Sequence, residues 1–148
     1  MLNDRLTSGI RVGTLAGATS AGVLVGLGMR HGAALAPFEI LGRAFAARFA
    51  GLVVAPPLST ALGVVLHFLW MALWGLCFAL FAARLHGVAL LSAAIVFAGF
   101  VGAIGATVAP GALGAGAMAS LTVAQSVFFL VLVALALAVG MRFARGRA

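Results

Sequence analysis

The sequence predicts an all-α polytopic membrane protein. Four transmembrane helices form two pseudo-repeated helix pairs, with a short interfacial amphipathic helix between the first and second spans. The first observation behind this is composition: 65% of the residues are hydrophobic, 7% are charged and the mean hydropathy is +1.28, whereas soluble domains carry about 25% charged residues. The second is the spacing of charge. Residues 12–29, 49–83 and 85–141 contain no Asp, Glu, Lys or Arg, and a helical span needs about 20 residues. The first two runs therefore hold one span each and the last holds two. The third observation is the position of the helix breakers, with Pro56 and Pro57 before the second span and "PGALGAG" (110–116) between the third and fourth. The expected spans are 8–29, 58–84, 88–109 and 119–141, in a single domain covering 1–148.

The first span follows Arg5 and Arg11 and ends close to "ALA" (34–36), a pattern shared with signal peptides. Pro37 would stand directly after the cut, a position a signal peptidase is expected to reject, so the span is expected to stay. Gly9, Gly13, Gly17 and Ala21 make a small-residue ridge along it, and Ala94, Ala98, Gly102 and Ala106 make a second ridge on the third span. Such ridges let helix backbones approach closely in lipid. The first and third spans are accordingly expected at the centre, with the bulkier second and fourth wrapped around them.

Between the first two spans, residues 37–49 are too charged to cross a bilayer. Phe38, Leu41, Phe45 and Phe49 recur at steps of three and four, Pro37 suits a first helical turn, and Glu39 stands four residues before Arg43. This reads as an amphipathic helix lying in the interface, with its Phe stripe toward lipid and Arg43 and Arg48 toward water.

The net charge of +7 comes from nine arginines and no lysine, against Asp4 and Glu39 alone. Because the arginines flank the spans, they are expected to contact lipid headgroups and set orientation, and no nucleic-acid partner is expected. Arg5, Arg11, Arg84, Arg142, Arg145 and Arg147 fall on one side and Arg30, Arg43 and Arg48 on the other. Both termini are therefore expected in the cytoplasm of a bacterial cell, the chain being a multi-pass protein of the inner membrane. The lone Cys77 lies within a span and makes no intrachain disulfide.

An offset of 58 residues aligns the second span with the fourth, matching Arg84 to Arg142, Trp70 to Phe128 and His67 to Gln125. Two two-helix units repeated in tandem share one orientation. The alignment places His67 and Gln125 at equal depth, in the outer third of the bilayer, as a candidate polar intramembrane pair. Trp70 and Trp74 continue the same face.

Chemistry is sparse. Between their flanking arginines the spans contain no Asp, Glu, Lys, Arg or Tyr, so neither a charge relay nor a positioned nucleophile and base is available, and no catalytic residue is assigned. His31 and His86 fall at opposite ends of the spans, so no metal site is expected, and no cofactor either. Three readings of His67 remain: an interhelical hydrogen bond to Gln125 or a helix-end carbonyl, a position on a solute or proton pathway, and axial ligation of a haem- or chlorophyll-type pigment.

The stretch "LHFLWMALWGLCFALF" (66–81), through Leu66, His67, Phe68 and Gly75, resembles a helix of small bacterial four-helix membrane proteins. In these, Leu-His-Phe precedes a small residue and an aromatic run, and a related helix closes the second half. Gln125 stands where a second His is expected in that pattern. The resemblance implies a fold over residues 12–140 and implies no activity. The function expected is that of a non-enzymatic accessory or structural subunit, bound to other membrane protein subunits or to copies of itself within the lipid bilayer. The alternatives are a small transporter or channel for an uncharged solute or proton, and a pigment-binding protein.

Overall fold

The computed structural model describes residues 2–113 and 121–146. Among the described residues helix accounts for 86% and no strand forms. The elements are α1 (Leu2–Arg30), α2 (Ala36–Phe45) extended by a π-helical turn (Ala46–Ala50), α3 (Pro56–Phe81), α4 (Gly87–Leu113) and α5 (Val123–Arg145). Four helices are long and apolar enough to cross a membrane, α1, α3, α4 and α5, which supports a multi-pass membrane protein.

Local chemistry sets the ends. Pro56 and Pro57 open α3 from an extended Ala55, where their missing N–H groups cost nothing. Gly51 closes the π-helical turn with φ +63, in the left-handed region that glycine occupies freely. The break expected at 110–116 comes later, because α4 continues through Pro110 to Leu113, and residues 114–120 lie outside those described. Along α1 and α4, Thr14, Thr19 and Thr107 each return the hydroxyl to the carbonyl four residues back, so these hydroxyls are satisfied within their own helices.

The centre of the bundle is the crossing of α1 over α3. The ridge on α1 meets α3 backbone to backbone: a Cβ added at Gly13 would stand 2.5 Å from the Met71 carbonyl oxygen and 2.6 Å from the Ala72 Cα, and one added at Gly9 would stand 2.7 Å from the Leu76 Cα. Gly75 returns the fit, its own added Cβ falling on the Gly13 backbone. On α3 the buried row is Ser59, Gly63, His67, Met71, Gly75 and Ala79, at a strict spacing of four. The adjacent face of α1, carrying Val12 and Ala16, is buried against α5, whose Gly140 lies beside Val12.

Three expectations about the layers are corrected. The second span was expected to wrap around the centre, yet α3 forms that centre with α1, because Gly75 lets the two backbones meet. The third span was expected at the centre, yet α4 is the least buried, with 17% of its span covered against 44% for α5. Ala94 and Ala98 are buried and Gly102 meets Leu130, so that ridge packs on one side only; the side chain of Ala106 lies outside those described. The fourth span was expected on the periphery because of Phe128 and Phe129. Its C-terminal half, however, is small: Ala134, Ala136, Ala138, Gly140 and Ala144 are all buried, so α5 enters the core there.

The ends opposite α2 are tied by a single side chain. Arg145 donates to the carbonyls of Leu85 and Ala82 at 2.6 Å and of Ala83 at 3.0 Å. These carbonyls belong to the turn that follows α3, beside the negative end of its dipole. Helix α4 meets α3 through rings: Trp74 packs edge to face with Phe97 (5.8 Å between centroids) and Phe100 (6.1 Å), and Phe78 lies 5.2 Å from Phe97.

The glycine fit generates a prediction. Gly13→Ala is expected to destabilise the chain by about 1–3 kcal/mol through overpacking. Gly22→Ala is expected to hold or raise stability, because a Cβ there meets nothing within 4 Å and alanine favours helix. Reversible unfolding in mixed detergent micelles measures both.

Candidate functional site

The polar candidates of the sequence separate in the structure. His67 lies about 16 Å along the α3 axis from Pro56 and about 21 Å from Phe81, close to the middle of the helix and not at its outer third. Its Nε2 stands 2.9 Å from Ser20 Oγ and 3.1 Å from the Gly17 carbonyl oxygen, both on α1. A carbonyl only accepts, so Nε2 carries the hydrogen. Ser20 Oγ accepts from the ring and donates to the same Gly17 carbonyl at 3.1 Å. Two rings frame the imidazole edge to face, Phe68 at 5.6 Å and Phe38 of α2 at 5.5 Å. His67 is 8% exposed and Ser20 and Phe38 are buried, so the clasp joins α1, α2 and α3 at one point. His67 Nδ1 makes no hydrogen bond among the described residues.

The expected pair of His67 with Gln125 does not form. Gln125 sits in the first turn of α5, where its Oε1 accepts from the Thr122 N–H at 2.8 Å and its own N–H donates to Thr122 Oγ1 at 3.3 Å, a reciprocal capping box. The 58-residue alignment fails at this point because α5 starts at Val123, so a residue matched to the middle of α3 falls at a helix end. Ser20 was missed. The signal for it was present, since Ser20 stands three residues after Gly17 and so flanks the Gly9, Gly13 and Gly17 ridge on the same side of α1, with a hydroxyl able to hydrogen-bond across the crossing.

The expected face through Trp70 and Trp74 is corrected as well. The buried row turns to Met71 and Gly75, while Trp70 is 40% exposed and Trp74 packs toward α4. Trp74 Nε1 is buried without a hydrogen-bond partner. The Trp74 ring lies among edge-to-face rings at Trp70, Phe97 and Phe100.

The segment expected at the interface, 37–49, is divided likewise. Glu39 and Arg43 make the i,i+4 ion pair. The row that α2 buries is Phe38, Gly42 and Ala46, not the whole Phe stripe: Gly42 lets α2 press onto the α3 backbone at Ser59, and Gly63 of α3 admits the α2 backbone at Phe38. Phe45 and Phe49 stack on each other at 4.8 Å, with Phe49 and Arg48 exposed. Ala21 is half-buried beside the crossing.

A second polar locus lies between the C-terminal half of α1 and the N-terminal half of α5. Here a cleft of about 440 Å³ is lined by Val23, Gly26, Leu27, Arg30, Ala124, Gln125 and Phe128. It opens because α5 is buried only in its C-terminal half, leaving Val123, Ala124, Val127 and Phe128 uncovered.

The clasp predicts a specific coupling. His67→Gln retains a donor and is expected to be nearly neutral, whereas His67→Leu is expected to cost about 0.6–1.7 kcal/mol. A double-mutant cycle of His67→Leu with Ser20→Ala should show that coupling, and a cycle with Gln125→Leu should show none. Unfolding free energies in micelles provide the measurement.

Compared with known proteins, the chain matches no family model, no curated protein and no solved structure.

Proposed function

We propose that this chain is a non-enzymatic accessory subunit of a bacterial inner membrane, with both termini cytoplasmic, that packs laterally against other membrane proteins. The observation that carries the reading is the open side of α4. This span is the least covered of the four, and Ala89, Ser92, Gly99 and Ala103 are exposed on it, with nothing within 4 Å of a Cβ at Gly99. Small exposed residues gain nothing from lipid but allow a second helix to approach closely. The excess of arginine at the ends of the chain and at Arg84 supports the orientation.

In this reading the α1–α3 crossing is a glycine zipper that builds the scaffold, and α2 is an interfacial helix sealing one end of it. The packing of α1 on α3 and of α4 on α5 supports the descent of the bundle from a repeated hairpin. His67 serves as glue in the scaffold.

Solubilisation of the native membrane in mild detergent, followed by mass spectrometry of the co-purifying proteins, tests the proposal. A stoichiometric membrane-protein partner is expected with the wild-type chain and is expected to be lost with Gly99→Leu while the chain itself still folds. A homo-oligomer alone that passes solute in proteoliposomes contradicts the proposal and favours the transporter or channel.

A further inference from the structure

We propose that the cleft between α1 and α5 is a binding site for one anionic phospholipid, with the phosphodiester held at Arg30 and Gln125 and an acyl chain laid between Val23, Leu27 and Phe128. The volume of about 440 Å³ lies within the range of small-molecule sites. It takes a phosphate and part of one chain, leaving the rest of the lipid in the bilayer.

The donors converge at the mouth. Arg30 is the last residue of α1, exposed and without an ion-pair or hydrogen-bond partner among the described residues. Gln125 is oriented by the capping box: the Thr122 N–H has to meet an oxygen, so Oε1 is turned to Thr122 and the amide NH2 group is left with two unused donors. The first N–H groups of α5, at Val123 and Ala124, have no intrahelical acceptor, and Ala124 lines the cleft. The positive end of the α5 dipole adds to the Arg30 charge. Cation, amide donors and helix end thus face the same opening, which suits a phosphate monoanion and leaves a neutral or cationic group unpaired.

Below the mouth the lining is Val23, Gly26, Leu27 and Phe128, apolar throughout. Gly26 keeps it open, since a Cβ there meets nothing within 4 Å. Position decides the source of the phosphate. The donors stand at the ends of two membrane-crossing helices and the apolar part runs along the spans, so a chain-bearing phosphate gains contacts that a free one does not.

Native mass spectrometry of the full chain in mild detergent, titrated with dioleoylphosphatidylglycerol, tests the site. The wild type is expected to retain one molecule and to retain dioleoylphosphatidylcholine roughly fivefold less. Arg30→Gln is expected to lose roughly fivefold in phosphatidylglycerol retention. Gly26→Leu, which fills the apolar part, is expected to abolish it while circular dichroism and elution stay unchanged. Arg48→Gln, an exposed arginine near the same end, is expected to leave it intact. Equal retention of the two lipids, equal loss with Arg48→Gln and Arg30→Gln, undiminished binding in Gly26→Leu, or complete displacement by inorganic phosphate would each overturn the proposal.

Discussion

Everything in this bundle depends on how closely α1 and α3 approach. Lipid tails are as apolar as the side chains, so no hydrophobic drive pulls the spans together, and dispersion between atoms in direct contact has to do it. Dispersion falls off within an ångström of optimal contact, which makes bare backbone the best surface for it. Gly9 and Gly13 on one helix and Gly75 on the other remove the side chains that would hold the axes apart. The remaining elements take their places from this crossing. Helix α5 packs on the Val12 and Ala16 face that the crossing leaves free, α2 presses onto α3 through Gly42 and Gly63, and α4 is left outside, reached through rings.

The polar groups inside the spans follow from the same constraint. An unsatisfied donor in hydrocarbon is costly, and apart from the buried Trp74 Nε1 the donors described above are answered locally. Threonine hydroxyls fold back on their own helices, Ser20 and the imidazole of His67 share the Gly17 carbonyl, and the Arg145 guanidinium covers the carbonyls at the end of α3. The clasp at His67 needs the close crossing, because only a short interaxial distance brings a serine on α1 within 2.9 Å of the ring. It also ties the register, since a shift of one turn along either helix would part the ring from Ser20. The exposed end of α5 lacks such a partner, and the cleft forms there.

Much of the architecture could be read from the sequence. Charge-free runs and proline positions placed the four spans, and small residues at a spacing of four picked out the α1 ridge that the structure uses. Which helix met that ridge could not be read. Apolar spans look alike along the chain, and the partner of a glycine ridge depends on a matching gap, here Gly75, whose meaning appears only once the two axes are laid together. The alignment of His67 with Gln125 failed for a related reason. Depth was counted from the arginines at the ends of the spans, whereas α5 begins at a Thr122 cap that moves Gln125 to a helix end. The alanine-rich half of α5 was hidden behind the bulk of Phe128 and Phe129, because a single average character was given to a helix whose two halves differ.

Disulfide cross-linking in the membrane tests the central crossing most directly, using a Cys77→Ala background in which no native thiol remains. The account predicts that Gly17→Cys with Met71→Cys closes rapidly under mild oxidation, since a Cβ at Gly17 stands 3.2 Å from the Met71 Cβ, close to the spacing a disulfide spans. It predicts that Gln125→Cys with His67→Cys stays open. Rapid closure of the second pair with none in the first would contradict it, placing α5 and not α1 against the buried face of α3.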